Sequence, residues 1–265
     1  MTTDPSTGAG VVLFSMVSEH VALVTLNRPD KRNAVNAAMA AAMEQIVTRT
    51  EADPNIRCVV LTSCDARVFC AGADLSAVAS GTGAGMQTKA GGFAGFVYAQ
   101  RSKPWIASVE GMSLAGGCEI CLACDLIVAS KNASFGLPEV KRGLMAMAGG
   151  LHRLVAQLPR NVALEIIATG EQMEAVRAHA YGMVNRLVEP GQTLNAACDI
   201  AETIAKNAPL AVQYSLAAAR ASTMLTEVQA RNVVGELFAK LRETEDYKEG
   251  PRAFVEKRLP VWKGR

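Results

Sequence analysis

The sequence predicts an α/β fold followed by a helical tail. Three observations carry that expectation. Short β-branched runs alternate with helical patterns through the first two-thirds of the chain. Several of those runs are apolar throughout, as in strands buried on both faces. Beyond about residue 190 only helical patterns occur. In order, residues 11–16 and 21–26 are β-rich runs separated by Val17-Ser18-Glu19-His20, a hairpin signature, and Asn27-Arg28-Pro29-Asp30 stops the second run. Residues 36–51 are rich in Ala, Met, Glu and Gln at helical spacing, with Asp53-Pro54 beyond. A short apolar strand over 58–62 follows. Residues 76–88 lack charge and hold Gly81, Gly83 and Gly85, which predicts a loop over a site rather than a dinucleotide fingerprint. The pattern then predicts a helix over 93–100, a strand over 105–109, a helix over 116–124 and brief strands over 126–129 and 134–136. The tail reads as helices over 193–206, 210–221 and 226–242, with Asn207-Ala208-Pro209 punctuating the first pair. Their apolar faces must pack on the body or on another subunit.

Composition bounds the function. The chain has 265 residues, 50% hydrophobic and 20% charged, enough for one large domain with a sizeable core. A formal charge of +2 is too even for a nucleic-acid or membrane-surface protein. No apolar run reaches 18 residues, and the first ten residues lack the basic and apolar regions of a signal peptide. The expected organisation is a flexible start over 1–10, a body with the active site over 11–191 and a helical oligomerisation region over 192–265, in a cytoplasmic protein. Seven cysteines, an odd number, predict free thiols in a reducing compartment. Cys118-x-x-Cys121-x-x-Cys124 has the gaps of a metal knuckle, but no His, Gly or Pro fills them, so these predict small core hydrophobes and no metal.

Three segments could carry chemistry. In Val68-Phe69-Cys70-Ala71-Gly72-Ala73-Asp74-Leu75, small residues after a strand let a ligand approach the backbone, and Asp74 can cap a helix. In Glu110-Gly111-Met112-Ser113-Leu114-Ala115-Gly116-Gly117-Cys118-Glu119, a strand passes through a small-residue loop into a helix. The unpaired N–H groups of a helix start suit a developing oxyanion, and Glu119 sits in the first turn. In Phe135-Gly136-Leu137-Pro138-Glu139-Val140, a carboxyl follows a proline among apolar residues, where desolvation raises its pKa toward proton donation near neutrality. Glu119 and Glu139 thus form a candidate acid/base pair around one water. A rival reading takes Gly111-Met112-Ser113-Leu114-Ala115 as a nucleophile elbow, with Asp125 and His152 or His179 completing a hydrolase triad. Ala115 in place of the last glycine, and the lack of an upstream His-Gly-Gly-Gly, weigh against it.

Taken together the motifs resemble the crotonase, or enoyl-CoA hydratase, superfamily. The matching pieces are Leu26-Asn27-Arg28-Pro29, Phe69–Leu75 as quoted above, Lys103-Pro104-Trp105-Ile106-Ala107, Ala115–Glu119, Ala123-Cys124-Asp125, Phe135–Val140, Gly182-Met183-Val184-Asn185-Arg186-Leu187-Val188 and the closing Glu256-Lys257-Arg258-x-Pro260-Val261-Trp262-Lys263-Gly264-Arg265. They span nearly the whole chain in order. The resemblance implies a spiral of repeated ββα units with a C-terminal helical trimerisation region, assembled as a homotrimer or homohexamer. It implies an acyl-CoA thioester substrate, no other cofactor, and a carbonyl held by the Ala73 and Gly116 N–H groups. Glu119 would activate water for attack at C3, and Glu139 would protonate C2. Arg28, Lys31 and Ala34, with Ala71, Gly72, Asp74 and Leu75, would contact substrate or CoA. Two departures stand out: Ala146 replaces a common proline, and Met147 stands where dienoyl-CoA isomerases and some carnitine-type dehydratases place Asp. The expected reaction is hydration of a trans-2-enoyl-CoA to a 3-hydroxyacyl-CoA. The alternatives are a crotonobetainyl- or carnitinyl-CoA hydratase, suggested by the C-terminal motif, another acyl-CoA reaction of the superfamily, the Ser113 hydrolase, and a non-catalytic binding protein.

Overall fold

β1 (Val12–Met16) and β2 (Val21–Leu26) form the antiparallel hairpin that their β-branched runs predict, with Val12 opposite Leu26 and Met16 opposite Ala22. The computed structural model describes residues 10–81, 83–223 and 225–265. The expected flexible start, 1–10, lies outside the described residues apart from Gly10. α1 (Ala37–Ala52) starts at Asn36, whose side-chain oxygen accepts the Met39 N–H, and returns the chain to β3 (Cys58–Ser63), parallel to β2.

From β3 the chain winds as a spiral. In each turn one strand joins a six-stranded sheet and the next joins a four-stranded sheet. The first unit is β3, β4 (Val68–Cys70) and α2 (Leu75–Ala79). A minute hairpin, β5 (Gln87–Thr88) and β6 (Gly92–Phe93), precedes the second unit of β7 (Trp105–Val109), β8 (Met112–Leu114) and α3 (Gly116–Ala123). The third is β9 (Leu126–Ser130), β10 (Ser134–Gly136) and a 3-10 turn at Pro138–Arg142. α4 (Gly150–Gln157), α5 (Arg160–Thr169), β11 (Gln172–Glu174), α6 (Ala175–Ala180) and β12 (Arg186–Val188) complete the body. The sheet orders are β1-β2-β3-β7-β9-β12, parallel from β2 onward, and β11-β10-β8-β4, parallel except for β11.

Side-chain alternation explains why the long strands read as continuously apolar. Val59 and Leu61 of β3, Ala107 and Val109 of β7, and Ile127 and Ala129 of β9 enter the main core. Their alternates Cys58, Val60, Ile106 and Val128 face the other side, where α7 (Thr193–Ala205) covers them with Ala197, Ala201 and Ala205, one alanine per turn. The first tail helix therefore belongs to the body. α8 (Pro209–Ser222), α9 (Glu227–Arg242) and α10 (Glu245–Val255) bury little: α9 has no buried residue, and Phe254, Val255 and Leu259 stand 84, 79 and 88% exposed. The last residues fold back, since buried Asp246 accepts the Lys263 and Gly264 N–H groups and the Trp262 indole donates to the Lys206 carbonyl.

Two local expectations need correction. Residues 93–100 do not form a helix, because Ala94 and Gly95 sit at φ 58° and 64° and break the pattern after β6. A side chain at Gly95 would lie 2.2 Å from the Ala40 carbonyl, so the glycine marks a close approach to α1. Residues 76–88, expected as loop, begin within the short helix α2 and end in β5.

Candidate active site

The ends of the second strands of the three units converge on one cavity of about 580 Å³. Its floor is made of Ala73, Gly116, Glu119 and Glu139, and its mouth of Leu75, Val78, Leu144, Met145 and Met147. The mouth is apolar and uncovered, with Met145 and Met147 62 and 70% exposed.

Residues 71–74 are laced to residues 32–35. The Ala71 N–H donates to the Arg32 carbonyl, the Val35 N–H to Gly72 and the Asp74 N–H to Val35. These pairings use the backbone on either side of Ala73 and leave its own N–H turned toward the cavity. Gly116 opens α3, where an N–H has no partner inside the helix. Among the described residues no acceptor takes either the Ala73 or the Gly116 N–H. Gly72, at φ 91°, brings the two together: a side chain there would lie 2.9 Å from the Gly116 nitrogen. Two free amides and the positive end of α3 make a cradle for an oxygen that gains negative charge.

Glu119 is 3% exposed, and its Oε1 accepts from the Ala148 N–H at 2.7 Å and the Gly150 N–H at 2.8 Å. Burial pushes its carboxyl up to about 7; the Gly150 amide opposes the rise, nearby Glu139 adds to it, and the Ala148 amide and Arg153 oppose it. Glu139 rides the 3-10 turn after Pro138. Burial raises its pKa above the ordinary carboxylate value, against the pull of a backbone amide and of Arg142. Its Oε2 is buried without a partner among the described residues. Two buried carboxyls with raised pKa values beside two free amides form an arrangement suited to acid–base chemistry next to a bound oxygen.

The remaining residues singled out from sequence fall in two groups. Ala71, Ala73 and Leu75 line the cavity, while Gly72 and Asp74 support it from behind. Asp74 occupies the cap position of α2, but its carboxylate accepts from the Ser76 hydroxyl and pairs with Arg28 at 3.2 Å instead of capping. Arg28 also donates to the Ala34 carbonyl, and both members of its ion pair are mostly buried. Arg28 is thus held within the turn by these contacts, while Lys31 is exposed. Ala34 donates its N–H to the Lys31 carbonyl. The hydrolase reading is overturned. Ser113 is fully buried with its hydroxyl on the Cys121 sulfur, Asp125 is taken by the Trp105 N–H and Arg220, and His179 donates to the Val184 carbonyl. His152 is exposed. Cys118, Cys121 and Cys124 are buried, with thiol pKa values raised chiefly by that burial. No group of three His, Cys, Asp or Glu able to hold a metal occurs among the described residues.

Sequence reading missed the Ala148 and Gly150 amides that hold Glu119. The signal was the pair Gly149-Gly150: a side chain at Gly150 would lie 3.0 Å from Glu119 Oε1.

A family profile described as enoyl-CoA hydratase/isomerase matches residues 16–265. The chain belongs to that family. It is 39% identical over 255 residues to the mevalonyl-coenzyme A hydratase of Aspergillus fumigatus, covering 95% of this chain and 94% of the relative. It is 38% identical over 247 residues to the carnitinyl-CoA dehydratase of Proteus mirabilis, covering 91 and 94%. The crystal structure of an enoyl-CoA hydratase from Mycobacterium tuberculosis superposes with a TM-score of 0.91 at 39% identity, covering 96% of this chain and 99% of that one. The fold is thus the ββα spiral of this enoyl-CoA hydratase/isomerase family.

Proposed function

We propose that the protein hydrates the C2=C3 bond of a trans-2-enoyl-CoA to give a 3-hydroxyacyl-CoA. The observation that carries this reading is the pair of raised carboxyls, Glu119 and Glu139, in one cavity with the free amides of Ala73 and Gly116. The thioester oxygen sits between the two amides. Ionised Glu119 takes a proton from water as its oxygen bonds to C3, and the C2=C3 electrons move through C2 to the carbonyl as an enolate. Protonated Glu139 then delivers its proton to C2 as the carbonyl re-forms. The reaction is redox-neutral and needs no group beyond the substrate's own CoA.

The CoA nucleotide is assigned to the 28–34 turn, with exposed Lys31 for its phosphates and the Ala34 backbone beside its adenine. The exposed apolar faces of α9 and α10 suit assembly as a trimer or hexamer, which sedimentation at micromolar concentration checks against a monomer. Seven free thiols suit a cytoplasmic setting, and among the described residues no helix is long and apolar enough to cross a membrane.

Carnitinyl-type hydration is the second reading, favoured by the Proteus mirabilis relative. Against it, the charged residues lining the cavity besides the two glutamates are Arg32 and Arg142, which repel a quaternary ammonium. The test is loss of enoyl-thioester absorbance with crotonyl-CoA and longer enoyl-CoAs beside crotonobetainyl-CoA. Turnover should fall as pH drops through about 7, because a base at that pKa is lost on protonation. Lys31→Ala should raise KM and leave kcat nearly unchanged. A folded protein that turns over none of these thioesters ends the hydratase reading.

A further inference from the structure

Glu119 is held by a loop, and the loop is held from behind. The Ala148 N–H that donates to Glu119 belongs to the same peptide unit as the Met147 carbonyl, and that carbonyl accepts from the Tyr98 hydroxyl at 3.2 Å. A trans peptide is planar, so its N–H and C=O point in opposite directions, and Tyr98 grips the end opposite Glu119. The next carbonyl, Ala148, accepts from the Arg153 guanidinium at 3.2 Å. The one after it, Gly149, accepts the Arg153 backbone N–H at 3.1 Å, and its peptide supplies the Gly150 N–H, the second donor to Glu119. Three consecutive carbonyls are thus held by two residues. Arg153 is itself anchored, donating to the Val97 carbonyl at 2.6 Å and lying 5.2 Å from the centre of the Tyr98 ring. A side chain at Gly149, φ 101°, would lie 2.2 Å from the arginine, so only glycine lets the guanidinium lie this close to the loop. The loop also has Ala146 where a proline would have fixed one backbone angle, which leaves its shape to such outside contacts.

We infer that Tyr98 and Arg153 are positioning residues for Glu119: from the far side of the 147–150 loop the Tyr98 hydroxyl grips the peptide unit of the Ala148 N–H, the Arg153 backbone N–H grips that of the Gly150 N–H, and the Arg153 guanidinium grips the peptide between them. Neither is assigned a contact with substrate; Tyr98 and Arg153 line a separate cleft behind the loop. The Tyr98 hydrogen bond lies at the carbonyl end of the Ala148 peptide unit and polarises its N–H, which strengthens that donor's hold on the carboxylate, while the guanidinium holds the peptide between the two donors in place. The charged and titratable groups facing Glu119 are Glu139 from the 3-10 turn, Arg153 from α4 and the neighbouring thiol of Cys118. Removing the arginine subtracts a group that favours ionised Glu119, so the Glu119 pKa rises.

The test uses Arg153→Met, Arg153→Lys and Tyr98→Phe in the full chain. Tyr98 is 44% exposed, so loss of its hydroxyl spares the packing if Arg153→Met fails to fold. Two readouts are taken. One is the acid limb of kcat against pH with crotonyl-CoA, which rests on the hydratase reading. The other is the infrared midpoint of the Glu119 carboxyl band, assigned by its loss in Glu119→Gln, which needs no turnover. Arg153→Met should lower kcat by about tenfold or more with KM nearly unchanged, since misplacing a catalytic group slows chemistry ahead of binding. Its acid limb and infrared midpoint should move up by about half a pH unit or more. Tyr98→Phe should move both the same way by less, and Arg153→Lys should restore the midpoint and part of kcat. An infrared midpoint unmoved in Arg153→Met and Tyr98→Phe overturns the assignment, and so does Arg153→Lys that restores neither quantity. If the parent protein hydrates no crotonyl-CoA, the infrared midpoint alone decides, and the hydratase reading falls separately.

Discussion

Glu119→Gln should lose about 10³-fold in kcat for crotonyl-CoA hydration with little change in KM, because a positioned general base contributes roughly 10² to 10⁴. The substitution isolates the proton transfer. The amide oxygen of Gln can still accept the Ala148 and Gly150 N–H groups that Glu119 Oε1 accepts, so the loop behind it stays in place. The cavity and its apolar mouth are untouched, and substrate binds as before. Loss of turnover with KM raised in parallel would mean that the carboxylate binds substrate without acting as base. Activity within tenfold of the parent would move the base to Glu139, whose pKa is also raised by burial. Stopped-flow absorbance at several enoyl-CoA concentrations separates these outcomes.

Gly72→Ala should cost about 10² to 10³ in kcat, the loss seen when one oxyanion donor is removed. Two effects act at that position. The backbone stands at φ 91°, and an added Cβ would meet the Ala115 Cβ at 2.8 Å and the Gly116 nitrogen at 2.9 Å. The strand end carrying Ala73 must then move away from the start of α3, and one thioester oxygen no longer reaches both amides. Gly182→Ala supplies the control: its φ of 85° carries the same strain, but nothing lies within 4 Å of the new carbon. That variant should lose roughly 1 kcal/mol of stability from backbone strain and keep its activity. If both variants lose kcat equally, the proximity of Gly72 to Gly116 is not what holds the oxyanion.

The body was legible in the sequence where one physical signal dominated. The β1–β2 hairpin, α1, β3, β7 and α3 each announced themselves by periodicity or by stop residues; the three expected tail helices came within a residue or two of their ends, and α10 went unforeseen. The failures have separate causes. Residues 93–100 are small, apolar and evenly spaced, so propensity suggested a helix, yet the packing of Gly95 against α1 imposes turns. β11 and β12, of three residues each, are too brief to show a period. At the site, Glu119 and Glu139 could be singled out because their neighbours predict desolvation. The engagement of Arg28 by Asp74 could not, because 46 residues separate the partners and only the fold brings the turn and the strand end together. The Ala148 and Gly150 donors were hidden for another reason: a backbone N–H carries no side-chain identity to read.

The spiral described above divides the labour of the site among its turns. The first unit contributes the Ala73 amide, the second the Gly116 amide and Glu119, and the third Glu139, each at the end of a strand of the same four-stranded sheet or just after it. In the proposed mechanism the amides that hold the thioester sit in the first two repeats, while the two carboxyls sit in the second and third, with the 147–150 loop behind Glu119. Neither cradle amide belongs to the segment 138–150, although β10 of the third repeat braces the second, its Gly136 carbonyl accepting the Ala115 N–H beside Gly116. On the proposed reading such an architecture is modular: one pair of amides can serve different proton-transfer chemistries when Glu119 and about a dozen residues between Pro138 and Gly150 change.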